Sequence, residues 1–167
     1  MDVGAKHAPY RRLVPATEYL TLDIGPDSGA DIVGDLHDVP RESGSLDTVI
    51  ATEVLEHCYD PPRAVGEIHR LLRPGGVCVL STRFLHPYHA DPHDYFRFTH
   101  EGLAYLFREF SEVSIRPLGN RLHAVWIMMP GRWAPVKWVV SLLTPMVAAI
   151  EMPGSRNPCG YLVRAVK

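Results

Sequence analysis

A chain of 167 residues, 46% of them apolar and with a formal net charge of −2, has the make-up of one globular domain. Its 17 Lys and Arg stand against 19 Asp and Glu with no basic run, which gives no footprint for gripping a phosphate backbone, so no nucleic-acid partner is expected. The cysteines Cys58, Cys78 and Cys159 are odd in number and lack C-x-x-C spacing, which argues for reduced, buried thiols and a cytoplasmic setting.

The opening "MDVGAK" reads as the end of a β-strand running into a glycine turn at Gly4, with no basic segment and apolar core of the kind a secretory leader needs. Further strands are predicted at 18–24, 30–35, 46–52, 76–82, 111–117 and 159–167, alternating with helical patterns. That alternation predicts an α/β fold with a mostly parallel sheet covered by helices. Residues 25–29 are too few for a helical crossover between parallel neighbours. Either that helix is lost and the third strand is a short edge, or the loop lies across the rim.

Asp60 is placed to cap a helix with Pro61 at its first position, and Ala64, Val65, Ile68, Leu71 and Leu72 fall on one face. Pro74 and the glycines of "RPGG" should stop it and supply the turn into the next strand. Thr99 can cap a second helix with a stripe of Leu103, Leu106, Phe107 and Phe110. An apolar, proline-interrupted segment at about 122–157 is predicted as a helical insertion before the last strand of a single domain, 1–167. Its uncharged run, 138–150, falls short of the roughly 20 residues that cross a bilayer. Core packing is the first expectation for its greasy face, and peripheral membrane contact through 126–152 the second.

In open α/β sheets a ligand sits beyond the carboxyl ends of the strands. Gly4, Asp23, Asp35, Glu53 and a histidine-rich loop all fall there. A glycine lets backbone approach a ligand closely. Asp23 at a strand tip suits hydrogen bonds from both hydroxyls of a ribose. Asp35, followed by Leu36, suits an adenine lying on the leucine. Taken singly, each acid is better read as a loop cap or turn residue; it is their joint order that points to a ligand.

Together these segments resemble the class I S-adenosylmethionine-dependent methyltransferases of the small-molecule type. "DVGAK" resembles their D-x-G-x-G cofactor loop and "LTLDI" their second-strand acid. "VGDLHDVP" resembles their adenine-contacting segment, and "LDTVIATEVLEH…LLRPGGVCVLST" the fourth and fifth strands with the helix between. The resemblance implies a Rossmann-like fold lacking N-terminal elements, because the first motif begins without most of its strand. It also implies a cofactor site of Asp2, Gly4, Lys6, Asp23, Asp35, Leu36, Thr52 and Glu53. Lys6 stands where the pattern has its second glycine, and would either obstruct the methionine part of the cofactor or pair with its carboxylate. The implied activity is methyl transfer to a small-molecule or carrier- or lipid-linked acceptor, with oxygen the first choice of atom. The rival is a non-catalytic methyltransferase-fold relic or interaction module that has lost cofactor binding. A nicotinamide site would need a G-x-G-x-x-G loop that this chain lacks.

A hydroxyl acceptor needs a base. His86, His89, His93, Asp94 and Tyr95 in "RFLHPYHADPHDYFRFTH" are the candidates, against a reading of the same stretch as a solvated, capped loop. The E-x-x-E-H pattern of Glu53, Glu56 and His57 also resembles the divalent-metal ligands of certain O-methyltransferases, with His86 or His89 completing the set. Metal is the lesser alternative.

Overall fold

A computed structural model describes residues 1–5, 8–90, 92–128, 146 and 157–167. Its centre is a seven-stranded sheet in the order β3-β2-β1-β4-β5-β7-β6. β1 (Asp2–Val3) runs parallel between β2 (Thr21–Asp23) and β4 (Leu46–Thr52), and β4 pairs in parallel with β5 (Leu72–Arg83). β7 (Gly160–Val166) slots antiparallel between β5 and β6 (Glu112–Leu118). The predicted mostly parallel α/β sheet is therefore present.

The strand interiors explain the layering. Val49, Ala51, Cys78, Leu80, Val163 and Ala165 are all buried, as expected of strands whose faces are covered. Helix α1 (Pro61–Leu71) starts as its sequence predicts, with the Asp60 carboxylate accepting the Arg63 N–H at 3.2 Å and Pro61 in the first turn. Its Ala64, Val65, Ile68 and Leu71 face the core. Thr99 caps α2 (His100–Leu106) by accepting from the Gly102 N–H at 3.0 Å. The helix is shorter than its apolar stripe, yet Phe107 and Phe110 beyond it remain buried and in ring contact at 5.3 Å.

Two expectations change. β3 is only Ile32–Val33, a short edge strand, and residues 24–31 form turns with no helix, which selects the lost-helix alternative. "RPGG" is a bulge inside β5 rather than a turn before it: Leu46 pairs with Leu72, but Thr48 pairs with Val77. Gly76 is required there, since a Cβ would lie 2.9 Å from the Arg73 carbonyl oxygen. Of the expected apolar insertion at about 122–157, only residues 122–128 of α3 (Arg121–Met128), Met146 and Asn157 fall within the described residues. Most of 126–152 lies outside them. Among the described residues no helix is long and apolar enough to cross a membrane.

Candidate functional site

The carboxyl ends of β1 to β4 open onto a cleft of about 620 Å³, within the usual span of a small-ligand site. Gly4, Asp23, Asp35, Leu36 and Glu53 line it, as the strand-end rule expects. Gly4 has φ +70°, and a Cβ there would come within 2.8 Å of Val54 Cγ2. Only glycine leaves this corner open, which fits a ligand approaching the backbone.

Asp23 sits buried at the tip of β2, where its Oδ1 accepts the Gly25 N–H at 2.8 Å and shapes the following turn. On the neighbouring strand's exit, Asp35 Oδ1 accepts the His37 N–H at 2.9 Å and lies 2.5 Å from His37 Nδ1. His37 Nε2 in turn accepts the Asp60 N–H at 3.3 Å, so the ring carries its proton on Nδ1 and points it at Asp35. Burial works against the Asp35 carboxylate, but the His37 bonds prevail and hold it below the usual range. The buried His37 ring stacks on Tyr59 at 4.1 Å, and both line the cleft. Sequence reasoning missed this pair. The only signal was "GDLHDVP" itself, since nothing local shows that Tyr59 returns to it.

Glu53 adopts φ +56°, uncommon for a residue with a side chain. Its carboxylate is engaged, accepting Ser81 Oγ–H at 2.7 Å and pairing with Arg83. Two of the expected cofactor residues are turned elsewhere. Asp2 is buried and bonded at 2.6 Å to the Tyr19 hydroxyl, and burial raises its pKa. Thr52 accepts the Tyr10 hydroxyl at 3.3 Å; neither Asp2 nor Thr52 is among the cleft-lining residues. Lys6 lies outside the described residues.

The histidine-rich loop closes the other side. Tyr95 and Phe96 donate their N–H groups to the Glu56 carbonyl at 2.9 and 3.3 Å, and His57 Nδ1 donates to the His93 carbonyl. Pro92, His93 and Tyr95 thereby line the cleft, together with His57. The Asp94 carboxylate, a candidate base, is engaged within the loop itself. Its side chain is 1% exposed and paired through both oxygens with Arg97, which holds the carboxyl far below the usual carboxylate range. Arg97 also reaches the Pro87 carbonyl at 3.0 Å, so the pair clamps the loop. His86 and His89 are not among the cleft-lining residues; their rings touch at 4.8 Å, and burial lowers the His86 pKa.

Behind this wall Glu56 is fully buried. Its Oε2 accepts Thr82 Oγ–H at 2.8 Å, and burial raises its pKa. Ligand-capable atoms of Glu56, His57 and His89 lie within 4.8 Å of one another. Of the acids and histidines whose spacing implied a metal set, these three converge, while Glu53 is held by Arg83 and His86 is not in the group.

Comparison with known proteins agrees with this geometry. A family profile described as "Methyltransferase domain" matches residues 11–80. A malonyl-[acyl-carrier protein] O-methyltransferase of Methylococcus capsulatus is 30% identical over 99 residues, covering 49% of this chain and 36% of that protein. A ubiquinone biosynthesis O-methyltransferase of Psychrobacter cryohalolentis is 52% identical over 40 residues, covering 24% of this chain and 16% of that protein. The match thus spans well under two thirds of the length of these relatives. Among solved structures, a SAM-dependent methyltransferase of Thermotoga maritima superposes with a TM-score of 0.65 at 15% identity, covering 99% of this chain and 80% of its own. The profile match over residues 11–80 and the local identity make the chain similar to methyltransferases, and its strand order and superposition give it the fold of the class I S-adenosylmethionine-dependent methyltransferases.

Proposed function

We propose that this protein, one domain over residues 1–167 with an apolar insertion at about 122–157, binds S-adenosylmethionine and methylates a hydroxyl of a small-molecule or carrier-linked acceptor. The observation that carries the reading is the convergence of Gly4, Asp23 and Asp35 on one cleft of about 620 Å³. Asp23 is placed to accept hydrogen bonds from a ribose diol. Asp35, held ionised by His37, is placed to accept one from an adenine amino group lying on Leu36. The bound sulfonium supplies an activated methyl group, so the chain's task is to position the acceptor and take its proton.

On the acceptor side His93 and Tyr95 line the cleft, and imidazole is the commonest general base. His93 is the base in this reading and Tyr95 a wall. His86, His89 and Asp94 hold the loop that carries them. Oxygen as the acceptor atom is supported by the O-methyltransferase relatives, which act on a carrier-linked malonyl group and in ubiquinone biosynthesis.

The test is calorimetric titration with S-adenosylmethionine and S-adenosylhomocysteine, repeated on Asp23→Ala. Saturable binding weakened by the substitution supports the enzyme reading and justifies an acceptor screen. No binding by folded protein would sink it in favour of a cofactor-free relic.

A further inference from the structure

We infer that the free edge of β6 pairs with a second copy of this chain, antiparallel about a two-fold axis at Ser114, so that two seven-stranded sheets run on as one. β6 ends the strand order with β7 as its sheet neighbour among the described residues, and all of its residues but Ile115 are exposed. Such an edge offers unpaired N–H and C=O groups as a template for another strand. Which residues offer them follows from the β7 ladder. The Leu118 carbonyl accepts the Cys159 N–H at 2.9 Å, so it faces β7. Backbone groups alternate in direction along a strand, so Glu112, Ser114 and Arg116 turn theirs to β7 as well, while Val113, Ile115 and Pro117 turn theirs outward. Pro117 fits this reading, since a proline has no N–H to give a ladder and is tolerated on the open side of an edge.

Antiparallel pairing must match outward residues with outward residues, which leaves few registers. An axis at Ser114 sets Val113 opposite Ile115 of the second copy, where the two exchange both backbone bonds, and sets Glu112 opposite Arg116 of the second copy, twice by symmetry. An axis at Val113 would set Glu112 against Ser114 instead. One at Ile115 would set Glu112 against Leu118 and put Pro117 into the ladder opposite Val113, with a donor lost. Only the Ser114 register gives both opposite-charge pairs and keeps proline outside the ladder. This self-complementarity commits the edge to another copy of the chain rather than to an unrelated strand. The two charges are free to serve: Arg116 has no ion pair among the described residues, and Glu112 has only Arg164 at 3.8 Å, with both of those side chains well exposed. Backbone bonds and the Val113–Ile115 contacts hold the pair together, while the exposed charges fix its register. The cleft at β1 to β4 lies beyond β5 and β7, so each copy keeps its own and the inference is independent of the cofactor reading.

The experiment is analytical ultracentrifugation of the full chain over a concentration series, without cofactor or acceptor. A dimer is expected. Glu112→Arg and Arg116→Glu should each weaken it about tenfold or more, because each sets like charges opposite one another twice. Mixed in equal amounts, these two variants regain complementary pairs and should form a heterodimer as tight as the parent, a recovery that a misfolded chain could not give. Glu18→Arg makes the same charge change just before β2, towards the opposite edge of the sheet, and should dimerise as the parent does. Circular dichroism checks the folding of each variant. If either charge variant fails to fold, the double variant Glu112→Arg with Arg116→Glu, which restores both pairs within one sequence, should dimerise, and Val113→Pro, which removes an outward donor, should not. A monomer at every concentration, indifference to both charge substitutions, no recovery on mixing, or equal loss in Glu18→Arg overturns the assignment.

Discussion

Replacing Gly4 by alanine tests how the cleft is built, because two separable penalties meet at one atom. The backbone there has φ +70°, where a side chain costs about 1–2 kcal/mol. The new Cβ would also lie 2.8 Å from Val54 Cγ2, a contact that must be relieved by a shift costing about 1–3 kcal/mol. The sum, about 2–5 kcal/mol, corresponds at a typical urea slope of about 2 kcal/mol/M to a midpoint lowered by roughly 1–2.5 M. Removing the Cγ atoms first, with Val54→Ala, should leave only the backbone part, so Gly4→Ala in that background should cost about 1–2 kcal/mol. The assay is urea unfolding of the four proteins of this cycle. An unchanged midpoint in Gly4→Ala, or an identical cost in both backgrounds, would refute the reasoning.

The Asp94 clamp should give an acid-dependent stability term. Its folded pKa is depressed, first by Arg97, so the contribution is complete above the unfolded carboxylate value of about 3.9 and is lost as pH falls through the folded value. The stability gap between parent and Asp94→Asn should therefore be flat above about pH 5 and shrink below about pH 4; a gap constant down to about pH 3 contradicts this. Burial pushes the thiols of Cys58 and Cys78 up to about 12, so Ellman's reagent at neutral pH should label them only after denaturant is added, and rapid labelling of the native protein would refute their placement. Phe107→Ala should cost about 3–5 kcal/mol by urea unfolding, since the ring is wholly buried against Phe110; a cost under about 1 kcal/mol would show that the site collapses freely.

What the sequence made legible was what local chemistry decides. Asp60 and Thr99 cap helices because a short acceptor at that offset meets a free N–H, and both do so. Asp23 and Asp35 reach the cleft because strands in an open parallel sheet end on one rim. The histidines were not separable in this way. His93 faces the cleft, and His86 and His89 do not, because the Glu56 carbonyl and the Asp94–Arg97 pair fix the loop's path. The Glu56 carbonyl in particular lies in a segment distant along the chain. Asp2 read as a cofactor ligand, but Tyr19 returns to occupy its carboxylate. "RPGG" read as a turn because proline and glycine punctuate loops, whereas pairing with β4 on either side absorbs them as a bulge.

The position of β7 between β5 and β6 sets an order of events during synthesis. Residue 77 on β5 pairs with residue 166, and β6 has β7 as its sheet neighbour, so the segment from Glu112 to Leu118 waits without a strand partner until Gly160–Val166 has been made. On a ribosome adding about 5–20 residues per second, the β5 edge and β6 stay open for seconds after their own translation. The last strand is the zipper of this sheet, and the nascent chain is most exposed to wrong edge pairing just before it emerges.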